Sequence, residues 1–239
     1  DHIFGLIGLL STLSLAGRIQ PMHLYAHAEL ETLLRPWLNF FCKGIAYEVV
    51  IHALPTDEAS HLLYEDRSVE VYSLPLRHRV PSCGFLFREK APLPHIRRDM
   101  IDYLEIPYYA INSIKQGADW TTADGRVVPN RELVFPAERG RSYAYCSDTC
   151  YQPQLIPLLR GVDVLYHEAT FGQDNLPRAI ETLHSTAAQA ASLAKAAGVG
   201  RLVIGHYSSR YDDEQVLLNE AQQVFMNTTL AQEGMVINI

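Results

Sequence analysis

The stretch VDVLYHEATF, residues 162–171, decides how the rest of the chain is read. Four apolar positions in the first five, closed by His167-Glu168, mark a short buried strand that ends on titratable groups. Outward from it a regular alternation appears. QLIPLLRG (154–161) reads as a helix before the strand, and STAAQAASLAKAAG (185–198) as a helix after it. RLVIGHYS (201–208) is the next strand, DEQVLLNEAQQVFMN (213–227) a further helix and GMVINI (234–239) a terminal strand. Strand and helix in turn predict an α/β layered fold.

Upstream the pattern is more varied. MHLYAH (22–27) and YEVVIHAL (47–54) read as strands, with ELETLLRPWLNFF (29–41) as a helix between them. VEVYSLPLRHRVPSCGFLFRE (69–89) reads as two strands joined around Pro81-Ser82. Lys90 to Gln116 holds Pro92, Pro94 and Pro107, several basic residues and two short helical pieces, and reads as an excursion from the core. GRVVP (125–129) and RSYAYCSD (141–148) return to strand character.

The chain opens on Asp1-His2, followed by an apolar run read as a buried helix over Ile3 to Leu15. That run is interrupted by Gly5, Gly8, Ser11, Thr12 and Ser14 and is too short to cross a bilayer, which takes about 20 apolar residues. The acid in front of it is also the wrong sign for a secretory leader. The composition is ordinary for a globular protein, with 48% hydrophobic and 20% charged residues in 239. A formal net charge of -7 excludes a generally basic nucleic-acid binder, so contact with a polyanion falls to a local patch or to bound cations. The four cysteines, Cys42, Cys83, Cys146 and Cys150, form no CxxC pair and read as free thiols of a reducing, cytoplasmic compartment.

The chemistry collects where strands end. YAYCSD closes on Asp148, DVLYHE on His167-Glu168, RLVIGH on His206, and VYSLPLRH on His78. In open α/β sheets such ends face the ligand crevice. His184 lies just before a helix whose Thr186 and Gln189 have the spacing of a capping box, which would fix His184 at the helix mouth. Taken singly these residues have plainer roles: a strand histidine for His78, an Asx turn for Asp148, a strand cap for His206, a hydrogen-bonded core histidine for His167. Taken together, imidazoles with carboxylates are the donor set that suits zinc.

The ordered series DHIFGL, LRHRVPSCGF, YCSDT, HEATF, LHSTAAQAA and IGHYSSRY resembles ribonuclease Z, the tRNA 3′-processing endonuclease family of the metallo-β-lactamase fold, over almost the whole chain. The resemblance implies a metallo-β-lactamase αββα sandwich spanning residues 1–239, with 90–116 inserted as a tRNA-binding arm. DHIFGL looks like the second half of the family's His-x-His-x-Asp-His motif, so the N-terminal strands and the first half of the metal motif are expected to be missing from the chain. Carried over residue by residue, Asp1, His2, Asp148 and His206 would hold one zinc ion. His78 and Asp148 would be what remains of the second site, with Asp148 bridging two zinc ions per subunit. Glu168 and His184 resemble the pair that assists proton transfer, and Asp1 stands with them as catalytic.

The implied reaction is hydrolysis of one phosphodiester near the 3′ end of precursor tRNA by a metal-held hydroxide, leaving a tRNA 3′-hydroxyl. Arg97, Arg98 and Lys115, in a basic stripe with Arg88 and Lys90, and Ser208 and Arg210 beyond His206, are the expected substrate contacts. The resemblance further implies a cytoplasmic homodimer with no membrane association. One departure is visible: the family's arm carries a Gly-Pro tip, where this chain reads EIPYYAINSIKQ (105–116). A phosphodiesterase of the same fold acting on another substrate, or a metal-free RNA-binding relative, are the alternatives.

Overall fold

The computed structural model describes residues 2–41 and 43–239. The N-terminal part is α1 (Leu6–Leu15), β1 (Met22–Ala26), α2 (Glu29–Phe41) and β2 (Val49–Ala53), with β1 and β2 paired in parallel from Met22↔Val49 to Ala26↔Ala53. Three antiparallel strands follow: β3 (Leu62–Glu65), β4 (Val69–Pro75) and β5 (Cys83–Glu89). The inserted unit contains β6 (His95–Ile96), α3 (Arg98–Tyr103), α4 (Tyr108–Lys115), β7 (Trp120–Thr121), β8 (Val127–Val128), α5 (Asn130–Leu133) and β9 (Val134–Phe135). The chain then returns through β10 (Ser142–Cys146), β11 (Val164–Glu168), α6 (Leu176–Thr182), α7 (Ala187–Ala197), β12 (Arg201–Gly205), α8 (Gln215–Val224) and β13 (Thr228–Leu230).

The main sheet has seven strands in the order β13-β12-β11-β10-β5-β4-β3. The half from β10 to β13 is parallel and the other half antiparallel. Parallel strands are buried on both faces, and β11 and β12 are almost wholly buried, with apolar runs Val164–Tyr166 and Leu202–Ile204. Helix α7 covers them with a stripe of small residues. Ala187, Ala190, Ala191, Ala194 and Ala197 are all buried at helical spacing, which lets the helix backbone lie close on Leu165, Leu202 and Ile204. Filling that space should be costly. Ala191→Leu is expected to destabilise the fold by about 1–3 kcal/mol, read as a lower midpoint in urea unfolding.

The insertion is longer than the stretch 90–116 read from the sequence. β6 pairs with β9 through His95↔Phe135, and Ile106, Ala110, Ile114, Val128 and Leu133 form a small core of its own. It therefore runs from the end of β5 to the start of β10. Because Arg88 pairs with Ser142, its two ends lie side by side on neighbouring strands.

Three local readings are corrected. QLIPLLRG forms only a 3₁₀ turn at Pro153–Leu155, because Pro157 lacks the N–H a helix would use and its ring opposes the preceding turn. The last strand is Thr228–Leu230 rather than GMVINI; residues 235–239 form no strand. The opening helix starts at Leu6 and buries only Leu10, leaving Phe4, Leu9 and Leu15 exposed. No helix among the described residues is long and apolar enough to cross a membrane.

Candidate metal centre and acid–base pair

Strands β10, β11 and β12 run parallel and end together, so the residues that follow them meet at one edge of the sheet. Asp148 follows β10, Glu168 closes β11 and His206 follows β12. The chain turns sharply there. Asp148 has φ +57° and His206 φ +60°, and Leu183, next to His184, has φ +58°. Left-handed backbone at three non-glycine residues around one site is stored strain, tolerated because the surroundings fix it. Gly205 admits the ring of Tyr166 just before His206; a Cβ there would lie 2.3 Å from the Tyr166 hydroxyl.

Asp148 is the centre of the arrangement. Its Oδ2 lies 3.0 Å from His2 Nε2 and its Oδ1 2.9 Å from His206 Nε2. The hydrogen bond with His206 is the largest cause holding the Asp148 carboxyl below its usual value, and the same bond raises His206. His78 stands beside them, its ring centroid 4.7 Å from that of His184. His78 Nδ1 lies 3.1 Å from the Leu183 carbonyl oxygen, which can only accept, so the proton is on Nδ1 and the lone pair on Nε2.

Glu168 is filled. Its Oε1 accepts from Thr149 N at 2.6 Å and His184 Nδ1 at 2.8 Å. Its Oε2 accepts from the Thr170 hydroxyl at 2.6 Å and Ser185 N at 3.0 Å. Ligand atoms of Asp148, Glu168, His184 and His206 lie within 4.8 Å of one another. Glu168 nevertheless has no lone pair to spare for a cation, since four donors occupy its two oxygens. Full burial alone would raise its carboxyl, but the bonds from His184, Thr170 and Ser185 hold it low and ionised. It orients His184 through the bond at Nδ1.

The capping box at the start of α7 is present in both directions: Gln189 N donates to Thr186 Oγ1 at 3.2 Å, and Thr186 N to Gln189 Oε1 at 3.0 Å. It anchors the chain immediately after His184. His167 is fully buried. Its Nδ1 pairs with the Glu168 carbonyl at 2.7 Å, while Nε2 has no partner, so the core histidine is half satisfied rather than satisfied. Burial pushes its pKa down and keeps it neutral.

The expected substrate contacts are dispersed. Arg88 lies on β5 against Tyr72, and Lys90 is paired with Glu65. Arg97 is held by Asp99 at 2.6 Å. Arg98, at the start of α3, and Lys115, in the last turn of α4, have no ion pair with an acid among the described residues, and neither has Arg88; with Lys90 and Arg97 paired, the five do not form one open stripe. Ser208 belongs to the turn after His206, its N–H donating to the Thr170 carbonyl at 3.1 Å, and Arg210 is exposed beyond it. Asp1 lies outside the described residues, as does Cys42. Cys83, Cys146 and Cys150 are free thiols. The residue the sequence reading passed over is Thr170, in HEATF. Its position two residues after Glu168 in extended chain, on the same face, is the signal that could have found it.

A family model described as a beta-lactamase superfamily domain matches residues 116–207. Ribonuclease Z of Phocaeicola vulgatus is 53% identical over 239 residues, covering 100% of this chain and 77% of the relative. The chain belongs to the ribonuclease Z family. Ribonuclease Z of Bacteroides fragilis is 52% identical over 239 residues, with 100% and 78% covered. Among solved structures, the short form of human tRNase Z (ELAC1) aligns with a TM-score of 0.64 at 24% identity, covering 99% of this chain and 74% of that one. The metallo-β-lactamase-fold protein YhfI from Bacillus subtilis aligns with a TM-score of 0.63 at 19% identity, covering 100% and 73%. Both carry the fold expected from the sequence, and membership of the ribonuclease Z family makes the chain a hydrolytic enzyme.

Proposed function

We propose that this member of the ribonuclease Z family is a zinc-dependent endoribonuclease that cleaves precursor tRNA at its 3′ end and leaves a 3′-hydroxyl. The observation that carries the reading is one carboxylate, Asp148, held between His2 and His206 at 3.0 and 2.9 Å, beside an imidazole oriented by a buried glutamate. The donor set fits zinc: imidazole nitrogens, with the other ring nitrogen of His206 and of His78 hydrogen-bonded, and a carboxylate with two separate oxygens. His2, Asp148 and His206, with Asp1, would hold one ion; His78 and Asp148 would contribute to the other. Bound there, zinc supplies Lewis-acid polarisation of the phosphate and acidifies water to a nucleophile at neutral pH.

The rest falls to the protein's own groups. His184 gives Nδ1–H to Glu168, so Nε2 is the nitrogen left to deliver a proton to the departing 3′ oxygen. Ionised Glu168 fixes the ring. Ser208 and Arg210 are proposed phosphate contacts.

The inserted unit is proposed as the arm that grips tRNA. Tyr103, Tyr108 and Tyr109 on its helices are 73%, 90% and 82% exposed, and such rings suit stacking on unpaired bases. Arg98 and Lys115 would add charge. The homodimer and its cytoplasmic setting are part of the same proposal; the exposed apolar side chains of Phe4, Leu33, Trp37 and Phe40 support a face that a second copy covers.

The test uses precursor tRNA with a 3′ trailer and a nitrophenyl phosphodiester side by side. Zinc-dependent release of the trailer with a free 3′-hydroxyl is expected. Replacing residues 91–138 by a short Gly/Ser turn, which the adjacency of Arg88 and Ser142 permits, should weaken tRNA binding and spare the small ester. Cleavage of the ester with tRNA left intact by the whole protein would overturn the tRNA reading in favour of another phosphodiester.

A further inference from the structure

The Thr170 hydroxyl, to which no role is assigned above, meets three groups of the site. It is nearly buried, and its oxygen lies 2.6 Å from Glu168 Oε2, 2.8 Å from His206 Nδ1 and 3.3 Å from His184 Nδ1. A hydroxyl has one proton. Ionised Glu168 can only accept, so that proton goes to Oε2. The lone pairs of Thr170 are then left for His206, whose Nδ1 must carry the hydrogen of that pair. His184 Nδ1–H is already directed at Glu168 Oε1, at 2.8 Å, and is the more distant neighbour of Thr170.

We propose that Thr170 is a positioning residue for both halves of the site. Through His206 it keeps Nδ1 protonated and reserves Nε2, the nitrogen facing Asp148, for a cation. Through Glu168 it fixes the carboxylate rotation that aims Oε1 at His184. The backbone reinforces this, because the Thr170 carbonyl accepts from Ser208 N at 3.1 Å and ties the turn after His206 to the end of β11. One side chain thus couples the nitrogen that holds the metal to the group that moves the proton. The inference rests on the metal-centre reading above, and deepens it.

Thr170→Val keeps the shape and removes the hydroxyl. It leaves His206 Nδ1 without its acceptor and Glu168 Oε2 without one donor. Zinc affinity, measured by competition with a chromophoric chelator, is expected to fall about 10–100-fold, the range for loss of a group that orients a ligating histidine. Thr170→Ser keeps the hydroxyl and is expected to restore affinity. Imidazole nitrogen NMR on the zinc-loaded wild type should show the His206 hydrogen on Nδ1, facing Thr170.

Unchanged zinc affinity in Thr170→Val, or a zinc-loaded wild type in which His206 carries its hydrogen on Nε2, would overturn the proposal. The wild-type NMR result decides the matter alone if the valine variant does not fold. None of these readouts uses RNA. A wild type that binds zinc normally but cuts no RNA would sink the proposed function and leave the role of Thr170 standing.

Discussion

Asp148→Asn should empty the metal centre and abolish phosphodiester cleavage together. Asp148 lies within 3.0 Å of imidazoles on two sides, His2 and His206. An amide in its place offers one neutral oxygen and a donor where two charged oxygens stood, so neither imidazole keeps an anionic neighbour on its own side. Zinc content by elemental analysis should fall, with activity lower by about 10³-fold or more, since several kcal/mol of Lewis-acid stabilisation is lost with the metal. His206→Ala should behave alike. A variant that keeps its full zinc content would remove Asp148 from the ligand set.

The pH dependence of the same variant, without metal, supplies an independent check. Folding lowers the Asp148 pKa, chiefly through the hydrogen bond from His206, so its contribution is present above the ordinary aspartate value and fades as pH falls. Folding raises the His206 pKa, chiefly through the bond with Asp148, so that contribution is complete below the ordinary histidine value and fades as pH rises through the raised one. Both are in force between about pH 4 and 6.5. The stability gap between metal-free wild type and Asp148→Asn should be widest there and narrower at pH 8. Metal uptake replaces the shared proton, so zinc binding should release protons.

Much of this was legible in the sequence because it is local. The strand ends at Asp148, Glu168 and His206 follow from short apolar runs that stop on a titratable residue, and three parallel strands can only bring such ends to one edge. The capping box that anchors the chain after His184 depends on Thr186 and Gln189 alone. What the sequence withheld is set by contacts distant in the chain. The partner of His78 is a backbone carbonyl, Leu183, 105 residues on. The inserted unit extends to β9 because residues near 130 complete a core begun near 100, and no periodicity in GRVVPNRELVF announces that. QLIPLLRG misled in the opposite way: its apolar spacing suggests a helix, and Pro157 overrides it. The basic stripe is thinner than its sequence suggests, because charges counted along a sequence ignore Glu65 and Asp99, which pair with Lys90 and Arg97.

His184→Ala should separate proton delivery from metal binding. The oxygens of Glu168 are saturated, which takes that carboxylate out of the ligand set, and His184, whose Nδ1 is committed to it, is proposed as the proton donor and not as a ligand. Removing the imidazole is expected to leave zinc content and tRNA affinity near wild type while slowing single-turnover cleavage by about 10²–10⁴, the range for a positioned general acid–base. A substrate with a better leaving group than a ribose 3′ oxygen should shrink that penalty, because less protonation is needed. Glu168→Gln carries a second cost. The amide turns one oxygen into a donor facing N–H or O–H groups that already point at it, and about 1–3 kcal/mol of stability should go with each buried donor left unpaired. Its kinetic defect should therefore be read at a temperature where the variant is folded. There the double mutant should lose less than the two singles summed, since Glu168 acts on the proton through His184. If His184→Ala instead strips zinc, the residue is a ligand. If it leaves single-turnover cleavage untouched, the proton comes from elsewhere, and the four hydrogen bonds on Glu168 serve only to hold the start of α7 against the sheet.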